Sequence, residues 1–141
     1  MKQLIVIIAM LGPVLVFGQS ERKYIREGVK AYESGDYSNA EVEFGKAEEE
    51  NEESYIARFN TSTALYQRAA EKEKQETDRF KKTSERLEEL LDKAPTDQDR
   101  ARVYHNIGNM HLESDQYAES IEAYKNSLRL NPKDDQTRYN L

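Results

Sequence analysis

The stretch YHNIGNMHLESDQYAESIEAYKNSLRLNP, Tyr104 to Pro132, holds both histidines of the chain, three serines and several carboxylates. Those side chains can ligate a metal or activate a nucleophile, so their spacing decides what they do. His105 and His111 stand six residues apart, about 240° of rotation on a helix, and cannot face one metal ion together. His111 falls at a packing position and is expected to be a half-buried core residue. His105 falls about 120° away from it around the helix. No serine sits in a nucleophile elbow, no glycine loop is built to cradle phosphate, and no paired zinc-ligand spacing occurs. The chemistry expected of these residues is binding rather than catalysis, with no cofactor and no metal.

Charge and composition narrow the partners. With a net charge of -6, the chain would repel phosphate backbones and anionic lipid surfaces, which argues against nucleic acid and against direct lipid binding once the leader is gone. There are no cysteines, so disulfides, thiol catalysis and thiolate metal sites are excluded. Glu48, Glu49 and Glu50 lie at a helix end without a loop to fix their carboxylates around a cation, and read as a solvated end. Between Arg68 and Glu89 the signs alternate, and Lys72 to Glu76 and Lys74 to Asp78 can pair across one turn of an exposed helix.

The first residues are of another kind. MKQLIVIIAMLGPVLVFGQS has a basic start at Lys2, an apolar stretch from Leu4 to Phe17 broken by Gly12 and Pro13, and a small residue before Gln19. The apolar run is shorter than the roughly 20 residues a spanning helix needs. It is expected to be a signal peptide over residues 1–19, with an uncleaved anchor as the alternative, which places the mature protein outside the cytoplasm, in a periplasm.

From Ser20 onward the period becomes helical. Tyr24, Gly28, Ala31 and Tyr32 recur at helical spacing, ESGDY supplies a turn, and Ala40, Phe44 and Ala47 resume the pattern. Tyr104, Ile107, Gly108 and Leu112, then ESDQY, then Ile121, Tyr124, Leu128 and Leu130 repeat it. Ser20 and Asp36 are candidate caps for the first two helices, and Thr77 or Asp78 for the fourth. Gly28 and Gly108 stand 80 residues apart, about twelve more than two periods of roughly 34. The copy between them, YIARFNTSTALYQRAA with a second helix in TDRFKKTSERLEELLDKAP, has Ser62 in the glycine's place. Phe80, Ser84, Leu87, Leu91 and Ala94 fall on one face of that second helix. Neither Gly nor Pro interrupts Lys46 to Ala94, so the additional residues are expected to lengthen both helices. A fourth start, DDQTRYNL, ends in mid-helix at Leu141, which suggests a truncated solenoid or an unmatched terminal helix.

These offsets resemble the tetratricopeptide repeat (TPR), whose pattern sets small residues where its two helices approach closely. The resemblance implies an all-α helical-hairpin solenoid of about three repeats plus the start of a fourth, over residues 20–54, 55–100, 101–134 and 135–141. With its leader, RKYIREGVKAYESGDYSNAEVEFGKAEE and YHNIGNMHLESDQYAESIEAYKNSLRLNPKDDQTRYNL, the chain also resembles the exported TPR members of the Bacteroides aerotolerance group. That implies a scaffold working beside membrane proteins that carry von Willebrand A domains. Glu27 in place of a leucine, Glu48 and Glu50 in place of closing apolar residues, and the long middle copy depart from the pattern.

In a TPR the first helices line a concave groove. Three- and four-residue steps gather Arg102, His105, Asn106, Asn109 and Glu113 on that side of the third repeat. Phe59, Asn60, Thr63 and Tyr66 continue it in the second, Ile25, Val29 and Tyr32 in the first, and Tyr139 and Asn140 in the fourth. Asn60, Asn106 and Asn140 hold the same position of successive helices. Rings beside carboxamides suit an extended protein segment, because an amide both donates to and accepts from a bound backbone. Ile25 and Val29 stand where a lysine clamp for a C-terminal carboxylate would begin, so an internal or apolar segment is favoured. The rival expectation is a structural protein that stacks on itself as a homo-oligomer.

Overall fold

The computed structural model describes residues 17–70 and 77–141. The leader through Val16 and residues 71–76, with Lys72, Lys74 and Glu76, lie outside it. Seven helices follow one another: α1 (Phe17–Glu33), α2 (Tyr37–Glu50), α3 (Tyr55–Ala70), α4 (Thr77–Glu88), α5 (Asp97–Glu113), α6 (Tyr117–Leu130) and α7 (Asp135–Asn140). Consecutive helices pack in pairs, α1 on α2 and α5 on α6 most extensively, and α2 on α3 and α4 on α5 join pair to pair. This is an all-α helical-hairpin solenoid. No described helix is long and apolar enough to cross a membrane.

The two outer hairpins share their details because they share their sequence pattern. A Cβ added at Gly28 would lie 2.5 Å from the Phe44 ring, and one at Gly108 would lie 2.5 Å from the Tyr124 ring. Glycine is what lets each pair of helices close onto an aromatic. At the turns, Gly35 (φ 81°) and Asp115 (φ 57°) hold the same left-handed conformation. Around them the Asp36 amide donates to the Ala31 carbonyl at 2.9 Å, and the Gln116 amide to that of His111 at 2.9 Å. Both are Schellman-type helix ends, which use carbonyls the helix itself leaves unsatisfied. Ser120 and Ser127, standing where alanines are usual, donate across the third hairpin to the Gly108 and Ala101 carbonyls at 2.9 and 2.8 Å. A hydroxyl buried at a close contact thus costs nothing in unmet hydrogen bonds.

The core is divided. One cluster joins Ala31, Ala40, Phe44 and Ala64 between α1, α2 and α3. The larger joins Phe80, Leu87, Leu90, Val103, Ile107, Met110 and Ala123 between α4, α5 and α6. Ion pairs tie α2 to later helices, Glu41 to Arg68 on α3 at 3.0 Å and Glu48 to Arg86 on α4 at 2.5 Å.

Two details differ from the sequence expectation. Ser20 lies inside α1, which already begins at Phe17, while Asp36 caps α2 by accepting the Asn39 amide at 3.1 Å. Helix α4 ends at Glu88, and the chain continues in tighter turns, the Leu90 and Leu91 amides donating to Leu87 and Glu88 at 2.9 and 3.1 Å. Three residues per turn bring Leu90 rather than Leu91 beneath Leu87, so Leu90 is the residue buried. The expected lengthening of both helices of the middle copy falls on residues 71–76, which lie outside the described residues between the end of α3 at Ala70 and the start of α4 at Thr77.

Candidate functional site

The first helix of each unit carries the predicted residues, and bonds between these helices organise them. Asn106 on α5 donates through Nδ2 to Thr63 Oγ1 on α3 at 3.2 Å. One unit further on, Asn140 on α7 donates through Nδ2 to Asn109 Oδ1 on α5 at 3.3 Å. In both, the repeated asparagine reaches the residue three places beyond its own counterpart in the preceding helix. Thr63 and Asn109 occupy one register position. At that position the first unit has Val29, which cannot accept a bond from Asn60.

The amides therefore act first on the fold. Asn109 is 8 % exposed, enclosed where the sequence places it on an open side, because Tyr124 and α7 close over it. Its Oδ1 also accepts the Tyr124 hydroxyl at 2.7 Å. His105 is half-buried, with Nδ1 2.7 Å from Thr137 Oγ1 and its ring centroid 5.8 Å from that of Tyr124. Burial lowers its pKa, and the nearby charge of Asp134 works weakly the other way. Thr137 is fully buried on α7 and its amide donates to the capping Asp134 at 3.1 Å. Thr137 and Tyr124 are the partners that sequence pattern did not place in this network; only their helical register beside His105 and Asn109 hinted at it.

The rings form the rest of the face. Tyr32 is half-buried and meets Tyr37 edge-on at 5.1 Å. Its hydroxyl pKa is raised by burial, which a hydrogen bond with Gln67 partly offsets. Phe59 stacks on Tyr55 at 5.8 Å. Tyr66 tilts against Phe80 at 6.3 Å, its pKa pushed up to about 12 by burial and then by the charge of Glu113. Phe59 and Tyr66 both pack against the larger core cluster. Leu112, which follows the register of Tyr32 and Tyr66, is 39 % exposed where periodicity reads it as a packing residue. Tyr139 is 93 % exposed, and Arg102 is exposed with Asp99 at 3.3 Å. Asn60 is half-buried beside Phe59.

Chemically this face offers aromatic and aliphatic surface with amides and hydroxyls between. Among the described residues, no group of three or more His, Asp or Glu is placed to hold a metal ion. His111 is half-buried as expected, and its Nδ1 lies 2.9 Å from Gln116 Oε1. Residues 101–134, the α5–α6 hairpin, match the family model of the tetratricopeptide repeat. No curated protein matches the chain at a significant level. Repeats of this family generally mediate protein–protein interaction and scaffolding.

Proposed function

We propose that the chain is an exported scaffold that holds an extended segment of another protein along the face of its first helices. The observation that carries this reading is the register of half-buried or exposed apolar side chains, Tyr32, Tyr66 and Leu112, on successive first helices, of which α3, α5 and α7 are tied by Asn106–Thr63 and Asn140–Asn109. A rigid row of apolar surface spaced by repeats accommodates alternate side chains of one extended strand. The half-buried amides of Asn60 and Asn106 border that row and can meet the strand's backbone. The apolar leader supports export. The resemblance to aerotolerance-group proteins supports a membrane-associated partner with a von Willebrand A domain. Affinity capture with the mature chain as bait, run beside Tyr66→Ala/Leu112→Ala, tests this reading. The partner should be retained by the parent chain and lost by the variant at unchanged helicity; equal capture by both would remove the site from this face.

A second reading, self-association, is favoured by where the exposed apolar residues cluster. Leu112, Tyr117, Ile121, Tyr139 and Leu141 all lie in the last third of the chain. Light scattering of the mature chain at micromolar concentration separates the readings, a monomer supporting the scaffold and a concentration-dependent oligomer the rival.

A further inference from the structure

The second helices leave grooves between them, and the two grooves differ in charge. Between α2 and α4 the chain supplies its own cation, since Arg86 on α4 reaches both carboxylate oxygens of Glu48 on α2 at 2.5 and 2.8 Å. Between α4 and α6 lies a cleft of about 380 Å³ floored by α5, and among the described residues no lysine or arginine lines it. Leu91, Ile107 and Ala123 provide its apolar surface, with Glu88 on one wall and Glu119 and Glu122 on the other. Arg129 touches only one edge, 3.4 Å from Glu122, in a pair exposed on both sides. His111 also lines the cleft, its Nδ1 2.9 Å from Gln116 Oε1.

We propose that this cleft is a second docking site, separate from the first-helix face, for a partner segment presenting an arginine flanked by aliphatic residues. The first groove shows what fits, because there a guanidinium completes the contact between second helices. In the second groove carboxylates stand on both walls around an apolar floor, which suits a side chain whose methylene stem lies on Leu91, Ile107 and Ala123 while its head sits between the acids. Arginine is favoured over lysine because its planar fork can engage carboxylates from two helices at once. The excess of negative charge in the whole chain raises the local concentration of such a segment.

The test is a titration of the full mature chain, isotope-labelled for NMR, with the synthetic peptide acetyl-Ala-Leu-Arg-Leu-Ala-amide. A matched peptide with citrulline in place of arginine is the neutral control. The arginine peptide should shift the amides of Ile107, His111 and Ala123, bind roughly tenfold more tightly than the citrulline peptide, and weaken with added salt. Glu88→Gln/Glu119→Gln/Glu122→Gln, all at exposed positions, should lose that preference at unchanged melting temperature. Equal binding of the two peptides, no binding of either, or shifts confined to α3 and the Leu112 side of α5 would overturn the proposal. So would salt-sensitive self-association that the triple variant abolishes, since the basic residues Arg22, Lys23 and Arg26 of a second copy would then be the occupant. Loss of partner capture by the Tyr66/Leu112 variant leaves this result unaffected, so the two sites fail separately.

Discussion

Asn109 accepts two hydrogen bonds in a buried setting, one from Tyr124 and one from Asn140, and so joins its own hairpin to the next helix. Asn109→Ala removes the acceptor and leaves the Tyr124 hydroxyl enclosed without it, which should cost about 1 to 3 kcal/mol in denaturant unfolding. Asn106 is half-buried and makes one bond to Thr63, so Asn106→Ala should cost less, roughly 0.5 to 1.5 kcal/mol. The amides are thus part of the stability of the stack, and a binding test is better made at the open Leu112, with Tyr66, which also packs on Phe80, checked for its melting temperature alongside. His105 gives a pH signature. Its folded pKa is lowered by burial, so the unfolded chain binds the proton more readily, and stability falls as pH drops through the ordinary histidine value of about 6.5. Thermal melts at about pH 7.5 and pH 5 should show a larger loss in the parent chain than in His105→Gln. An equal loss would mean that His105 carries no linkage to folding.

At the scale of the element, the close approach of paired helices makes a prediction of unusual sign. An exposed glycine in a helix gains roughly 1 kcal/mol on change to alanine. At Gly108 the added methyl would meet the Tyr124 ring at 2.5 Å, so Gly108→Ala should instead destabilise by about 1 to 3 kcal/mol. Hydrogen exchange should quicken in α5 and α6 more than in α1 and α2, because repeats couple mainly to their neighbours. Uniform quickening would argue against a stack of semi-independent units. The positions were legible, since Gly28 and Phe44, and Gly108 and Tyr124, stand at the offsets that the tetratricopeptide resemblance implies, while the contact of each ring with its glycine appears only in the structure. The Asp36 cap was legible for a local reason. What escaped was long-range. The exchange of Leu91 for Leu90 depends on a helix tightening after Glu88, and the enclosure of Asn109 depends on α7, neither of which the period of a single helix contains.

At the scale of the whole molecule, two small cores joined by side-chain bonds give a fold whose surfaces outweigh its interior, and its chemistry lies on those surfaces. The sequence showed which face the first helices share, but not that its amides are spent largely on the stack. The apolar side chains left on that face, Tyr66 half-buried and Leu112 more open, are what remains for a partner. Site-directed photo-crosslinking in cells that make the chain tests this most directly, with benzoylphenylalanine placed singly at Tyr66, at Leu112, and, as controls on the second helix, at the exposed Ser38 and Val42. We expect an adduct to one and the same partner protein from Tyr66 and Leu112 and none from Ser38 or Val42; adducts from the α2 positions with none from the first helices would contradict the account.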